Sequence, residues 1–444
     1  INYLKEYIVG QHAAMEMVAT KICTHFHRMQ LERDHPDLKR IVGHIKSNIL
    51  VIGPTGVGKT YLIKLIANKL RVPFVKGDAT KFSETGYVGG DVEDLIRELV
   101  HQVGGNIKLA EYGIVYIDEI DKIASSGSSY GPDVSRSGVQ RNLLKLMEET
   151  EVDMKVPHDL ASQMESVMET QRTGKAVRKK VNTRNILFIM SGAFVDLGEI
   201  IARRLKRGGY GFTGEILKSK YEIEFLFKYL QSLDLIEYGF ESEFIGRIPV
   251  TTHMDGLDEI SLFEILRNPK SAVVLGKKRD FAAYGIELSF SEDALRYIAR
   301  KATSFKTGAR GLVSAVESIL MPFERSLPST KIPSLLVTKE LCENAEEYLA
   351  DLITSHAFEY FSEYFLEENN IQIDFSPAAK TKAEGIAASM GARIGDYLAE
   401  ILKNFDYGLK LLGKSSFTVT GKVLNNPQGY LDNLVKKSYS NETD

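Results

Sequence analysis

The 444-residue sequence predicts an α/β protein: a mostly parallel sheet covered by helices on both faces, then a small α+β domain, then a repeat-like extension. Three observations carry that prediction. Apolar runs of strand length alternate with helical stretches across residues 1–250, as crossover-connected parallel strands require. One of those strands, at 48–52, enters a glycine-rich loop that opens a helix at 61–70. A hydrophobic stretch near residue 286 recurs near residue 371. The resulting divisions are 1–255 for the large domain, 256–341 for the small one and 342–444 for the extension.

Length and composition bound the answer. A chain of this size supports two or three domains, each with its own core. Its 56 basic and 59 acidic residues leave a formal charge of -3, so no global field draws it to nucleic acid or to an anionic membrane. Cys23 and Cys342 offer neither a disulfide framework nor a four-ligand zinc site, which fits a reducing compartment. No apolar run approaches the ~18 residues needed to span a bilayer, and residues 1–10 lack the layout of a signal peptide. The expected location is the cytoplasm or an organelle matrix. Because the chain begins with Ile1 rather than methionine, a domain preceding it is not accounted for.

The first element with chemistry is the loop Gly53-Pro54-Thr55-Gly56-Val57-Gly58-Lys59-Thr60. Glycines there let backbone N–H groups turn inward onto phosphate oxygens, and the following helix offers the positive end of its dipole to the same anion. The pattern predicts ATP or GTP. Lys59 would reach the outer phosphates, and the Thr60 hydroxyl would ligate magnesium.

The next strand, 113–117, ends in Asp118-Glu119, at the strand edge where paired carboxylates serve phosphoryl transfer. Asp118 would hold the magnesium through water, and Glu119 would polarise the attacking water. A third strand, 185–190, runs into Ser191, which is either a polar sensor of that water or a turn former. Arg247, in Glu243-Phe244-Ile245-Gly246-Arg247, and Arg310, in Gly308-Ala309-Arg310, could meet a phosphate, but spacing alone favours surface salt bridges for both.

From Tyr7 to about Leu341 these motifs resemble the ClpX branch of the AAA+ ATPases, hexameric protein unfoldases that feed the ClpP peptidase. The shared stretches include Ile8-Val9-Gly10-Gln11, the phosphate loop, Asp78-Ala79-Thr80, Gly86-Tyr87-Val88-Gly89, Ile117-Asp118-Glu119-Ile120-Asp121-Lys122-Ile123, Gly138-Val139-Gln140 and Lys306-Thr307-Gly308-Ala309-Arg310-Gly311-Leu312. The resemblance implies an AAA+ P-loop NTPase large domain and a lid domain, with ATP and magnesium as cofactors. By it Ile8 and Val9 line the adenine pocket, and Lys59, Thr60, Asp118 and Glu119 form the hydrolytic centre. Arg247 becomes a finger offered to a neighbouring subunit, and Arg310 a second sensor. A finger acting in trans implies a homo-oligomeric ring, a hexamer by the family pattern. Tyr87 and Val88 would be the pore loop that grips a translocating polypeptide, for which a tyrosine between glycines is suited by its large amphipathic surface.

The sequence also departs from that pattern. The basic loop of the family is represented by Arg178-Lys179-Lys180, without its histidine, so positive charge is kept but substrate preference is not implied. For the peptidase-docking loop the match by position is Tyr210-Gly211-Phe212, where tyrosine stands in place of an aliphatic residue. The family's N-terminal zinc module is absent from this chain, and residues 149–184 are too few for the intermediate domain of HslU.

In the extension, Ile286-Glu287-Leu288-Ser289-Phe290-Ser291 recurs as Ile371-Gln372-Ile373-Asp374-Phe375-Ser376, and Gly308-Ala309-Arg310 as Gly391-Ala392-Arg393. A degenerate second copy of the small domain is inferred, with Arg393 as a relic because no phosphate loop accompanies it. Cys23, His25, His27 and His35 are assigned no metal, since Cys23 and His27 share a helical face that His25 does not.

Three functions compete. An ATP-driven unfoldase feeding a ClpP-type peptidase uses Tyr87; a nucleic-acid motor would use basic residues 172–184 on phosphates; a nucleotide-switched scaffold would act through the extension. The uncharged aromatic pore loop favours the first. Protein substrates are the expected partners, without membrane or nucleic acid.

Overall fold

The computed structural model describes residues 1–35, 37, 45–83, 90–125, 134–154, 179–207, 226–330 and 332–441. Tyr87, Val88, Arg178, Tyr210, Gly211 and Phe212 lie outside the described residues. The chain divides into two compact units, 1–273 with 299–314, and 274–298 with 315–444.

The first unit is built on a five-stranded parallel sheet. Its strands are β1 (Ile49–Ile52), β2 (Phe74–Asp78), β3 (Ile114–Asp118), β6 (Leu187–Gly192) and β7 (Val250–His253), in the order β2-β3-β6-β1-β7. A short antiparallel pair, β4 (Glu151–Asp153) with β5 (Lys180–Asn182), lies apart from it. Every residue of β1 and β6 is buried, as expected of strands covered on both faces.

Alternation along each strand sends successive side chains to opposite layers. Leu50, Ile52, Val115, Ile117, Phe188 and Met190 pack on one face with Leu95, Ile96 and Leu99 of the helix Asp94–Gln102 and with Leu143 of the helix Val134–Met147. Ile49, Val51, Ile114, Tyr116, Leu187 and Ile189 pack on the other face with Met15, Val18 and Ile22 of the helix His12–Asp34 and Leu62, Ile63 and Ile66 of the helix Lys59–Leu70. Each such buried aliphatic side chain contributes about 1.5–3 kcal/mol of transfer free energy.

Because all five strands run the same way, Ile52, Asp78, Asp118, Gly192 and His253 finish along one edge of the sheet. The chain visits β1 before β2 and β3, yet β6 later inserts between β1 and β3. That reversal opens a crevice at the carboxyl ends.

The second unit holds two separate parallel pairs. β8 (Glu287–Phe290) pairs with β9 (Ser334–Val337), and β10 (Gln372–Phe375) pairs with β11 (Ser416–Val419). The recurrence seen in sequence thus coincides with a recurrence of pairing. Ser291 N–H donates to Val337 O at 3.0 Å, and Ser376 N–H to Val419 O at the same distance. Phe358, Phe361 and Phe365 of the helix Ala345–Asn369 cover β10 and β11 together with Ala379, Ala383 and Ala387 of the helix Pro377–Met390. Ser376 caps that last helix by accepting from Ala379 N–H, Pro377 occupies its first position, and Gly391 ends it with φ of 65°. Among the described residues no helix is long and apolar enough to cross a membrane.

Candidate functional site

Beyond β1 the backbone turns through Gly53, Gly56 and Gly58. Gly56 has φ of 81°, and a Cβ built on it would lie 2.1 Å from the Thr307 carbonyl oxygen. Only glycine permits both the left-handed backbone and that approach. Ala309 N–H donates to Gly56 O at 2.9 Å, fixing the segment ahead of Arg310 to the loop. Gly58, with φ of 100°, leads into the helix Lys59–Leu70. Lys59 Nζ reaches back across the loop to Gly53 O at 2.5 Å and Pro54 O at 2.8 Å. Burial pushes this ammonium below its ordinary value, against the pull of Asp118 and Asp121.

Asp118, at the end of β3, is the hub. Its Oδ1 accepts from Ser191 Oγ at 2.7 Å and from Glu119 N–H at 3.1 Å. Its Oδ2 accepts from Thr60 Oγ1 at 3.3 Å and pairs with Lys76 Nζ at 2.8 Å. Burial alone would raise this carboxyl, but the hydrogen bonds from Lys76 and Ser191 and the Lys76 charge outweigh it and hold Asp118 below its ordinary range. Tyr116 OH lies 2.5 Å from Ser191 Oγ and 3.0 Å from Thr60 Oγ1. Burial, then the neighbouring Asp118 charge, push that phenol up, so it stays protonated and can donate.

Glu119 follows in the left-handed region with φ of 57°, a conformation that costs a non-glycine residue on the order of 1 kcal/mol and is concentrated at functional sites. Asp121 is buried, and its Oδ1 accepts from Ala193 N–H at 3.3 Å. It thereby ties the turn after β3 to the turn after β6.

A cavity of about 470 Å³ collects Thr55, Gly56, Gly58, Lys59, Thr60, Asp118, Glu119 and Arg310. Ser191 reaches it through Asp118. Gly53 and Pro54 enter through the Lys59 bonds, and Val57 is buried beneath the loop. Ile8 and Val9 line a different cavity, of about 770 Å³, with Gly10, His12, Glu264 and Lys270. Gln11 joins that segment to the loop's surroundings: its side chain makes a reciprocal pair with the Asp255 backbone at 2.8 Å, next to Met254, which abuts Gly53.

Arg247 lines neither cavity. Its Nη2 pairs with Glu148 Oε1 at 2.6 Å on a half-exposed surface, and its carbonyl accepts from Asn48 Nδ2 at 2.8 Å. Among the described residues no group of three or more His, Cys, Asp or Glu side chains could hold a metal. His25 lies 2.9 Å from the Asn185 carbonyl through Nε2.

The arrangement suits a triphosphate with its counter-cation. The phosphate loop, Lys59 and Arg310 present positive charge to one cavity, while Thr60 and Asp118 bring a hydroxyl and a carboxylate oxygen within 3.3 Å of each other. Hard oxygen donors of this kind fit magnesium. Lys76, Tyr116 and Asp121 were not singled out in the sequence for this site. A phenol in an otherwise apolar strand, at Tyr116, is an available signal, whereas Lys76 at an exposed position of an edge strand carries none.

Comparison with known proteins identifies the family of the chain. Residues 44–251 match the family described as AAA domain (Cdc48 subfamily), and residues 264–323 the family described as C-terminal, D2-small domain, of ClpB protein. The chain is 38% identical over 355 residues to the ATP-dependent Clp protease ATP-binding subunit ClpX of Porphyromonas gingivalis, covering 79% of this chain and 83% of that protein. It is 39% identical over 344 residues to the protein of the same name from Borrelia duttonii, covering 76% of each chain. The counterpart from Treponema denticola is 37% identical over 348 residues, covering 78% of this chain and 80% of its own.

Proposed function

The chain belongs to the ClpX-type AAA+ ATPases, and from that premise we propose that it forms a ring, hydrolyses ATP at subunit boundaries and threads polypeptide through a central pore. The observation that carries this reading is a division of labour: one cavity holds Lys59, Thr60, Asp118, Glu119 and Arg310, whereas Arg247 stands outside it. An arginine that does not reach the nucleotide cavity of its own chain is suited to serve the neighbour's.

Within the site, the backbone N–H groups of the phosphate loop and the first turn of the helix Lys59–Leu70 bind the phosphate chain. Lys59 gives up its carbonyl contacts to reach the outer phosphates. Thr60 and Asp118 would hold magnesium bound with the nucleotide, which would supply positive charge to the phosphate oxygens. Glu119 orients and deprotonates the attacking water. Ser191 fixes the Asp118 carboxylate and, through Tyr116, the Thr60 hydroxyl. Arg310, on the segment bonded to Gly56, reports the phosphate to the lid. Ile8 and Val9 contact the base, and Tyr87 and Val88 grip the polypeptide. Tyr210, Gly211 and Phe212, which match the family's docking loop by position, are the residues assigned to contact with a ClpP-type peptidase.

The test is steady-state ATP hydrolysis by wild type and Tyr87→Ala, each with and without an unfolded casein, and with single-stranded DNA as control. Stimulation by casein that is lost in Tyr87→Ala is the expected result. Stimulation by DNA alone, or indifference to both polymers, would replace the reading by a nucleic-acid motor or by a switched scaffold.

A further inference from the structure

Lys76 sits at an exposed position of the edge strand β2, beside the carboxyl end of β3. Along β2, Val75 and Gly77 face the core on one side, so Phe74, Lys76 and Asp78 face the other. Lys76 is in register with Tyr116 of β3, and its Nζ lies 6.0 Å from the centre of that ring. The ring and the strand register direct the ammonium to Asp118 Oδ2, at 2.8 Å. This is the oxygen that also faces the Thr60 hydroxyl. A divalent cation held by Thr60 and, through water, by Asp118 therefore competes with Lys76 for the same carboxylate oxygen.

We propose that Lys76 is a resident counter-ion of Asp118 which a divalent cation must displace, so that it sets the free magnesium needed for tight nucleotide binding. The inference rests on Thr60 and Asp118 being the metal donors. Two features make displacement feasible. The Lys76 side chain is 39% exposed, against 17% for Asp118, so the ammonium has water to retreat into. Its flexible four-carbon stem lets the ammonium swing away from Asp118 into water. Without nucleotide, Lys76 compensates a carboxylate that would otherwise be left half-buried and charged. With magnesium present the same charge becomes a repulsive neighbour.

The experiment titrates MgCl2 into a fixed mixture of protein and a fluorescent mant-ATP, for wild type, Lys76→Met, Lys76→Arg and Asp118→Asn, with thermal melting to establish that each variant is folded. The magnesium midpoint of Lys76→Met falls roughly three- to tenfold, as expected for removing a half-exposed ionic competitor. Lys76→Arg, which keeps the charge, stays within about twofold of wild type. A Lys76→Met midpoint that is unchanged or higher, while Asp118→Asn shifts the curve, overturns the proposal alone. An Asp118→Asn curve identical to wild type overturns the donor assignment and the proposal together.

Discussion

Asn48 Nδ2 donates to the carbonyl of Arg247 at 2.8 Å while Asn48 Oδ1 accepts from the backbone N–H of Phe188. One buried amide thus joins the entrance of β1, the strand β6 that carries Ser191, and the turn that presents the arginine. Asn48→Ala leaves a buried N–H and a carbonyl unpaired, and is expected to cost about 1–3 kcal/mol. Urea denaturation of the two proteins measures the difference; a change within about 0.5 kcal/mol would mean that water replaces both contacts.

Glu119→Gln keeps the shape of the side chain and removes its basicity. ATP turnover is expected to fall by roughly 10²–10⁴ with nucleotide affinity little changed. Equilibrium binding of mant-ATP beside steady-state turnover separates the two quantities. Retained turnover would place the base elsewhere.

The two copies of the Gly-Ala-Arg motif differ in setting. Arg310 lines the cavity that holds Lys59 and Asp118, whereas the Arg393 side chain is 85% exposed and paired with Asp396 three residues along its own chain. Arg310→Ala is therefore expected to lower ATP turnover about tenfold, the loss of one charge-assisted phosphate contact. Arg393→Ala should leave turnover near wild type. Equal losses would show that the extension also meets a nucleotide.

Lys46 supplies a pH dependence. Its Nζ donates to the carbonyls of Thr183 at 2.9 Å and Ile186 at 3.3 Å and lies 4.9 Å from the centre of the Phe188 ring, yet burial pushes the ammonium from 10.5 down to about 7. Below pH 7 both folded and unfolded chains hold this proton, and the full desolvation cost is present. Between pH 7 and 10.5 the unfolded chain retains the proton and the folded chain has released it, so stability rises with pH. Relative to Lys46→Met, the wild type should gain at most about 1.4 kcal/mol per pH unit over that window. Unfolding free energies at pH 6.5, 7.5 and 8.5 test this. A flat difference would mean that the two carbonyls and the ring replace the lost water.

The parts of this molecule that could be read before folding are those in which neighbours in sequence act together. Gly53 to Thr60 is legible because a phosphate held by consecutive amides dictates glycines at fixed spacing, and Asp118 with Glu119 because an acidic pair follows an apolar strand directly. The parallel sheet followed from apolar runs alternating with amphipathic ones. The repeat was visible because Ile286 to Ser291 and Ile371 to Ser376 share a register of hydrophobic positions. Lys76, Tyr116 and Asn48 could not be found that way. Their partners are Asp118, Ser191 and Arg247, and the pairings depend on the strand order β2-β3-β6-β1-β7, which no local spacing encodes. Glu148 is a similar case, since its contact with Arg247 arises only when the helix Val134–Met147 is laid across the sheet.

The pairing of β10 with β11 has a consequence for how the chain is made. Parallel neighbours cannot close as a hairpin, and here Gln372 must wait for Ser416 while three helices are completed between them. During synthesis, Phe361 and Ile373 emerge well before Phe417 and Val419, which belong to the same apolar cluster. A nascent chain stalled in that interval displays an uncovered aromatic face, the kind of surface that holdase chaperones capture and that aggregates when they do not. A nonsense codon anywhere from 376 to 415 would therefore strip the extension of its cover while leaving the sequence that lines the Lys59 and Asp118 cavity untouched.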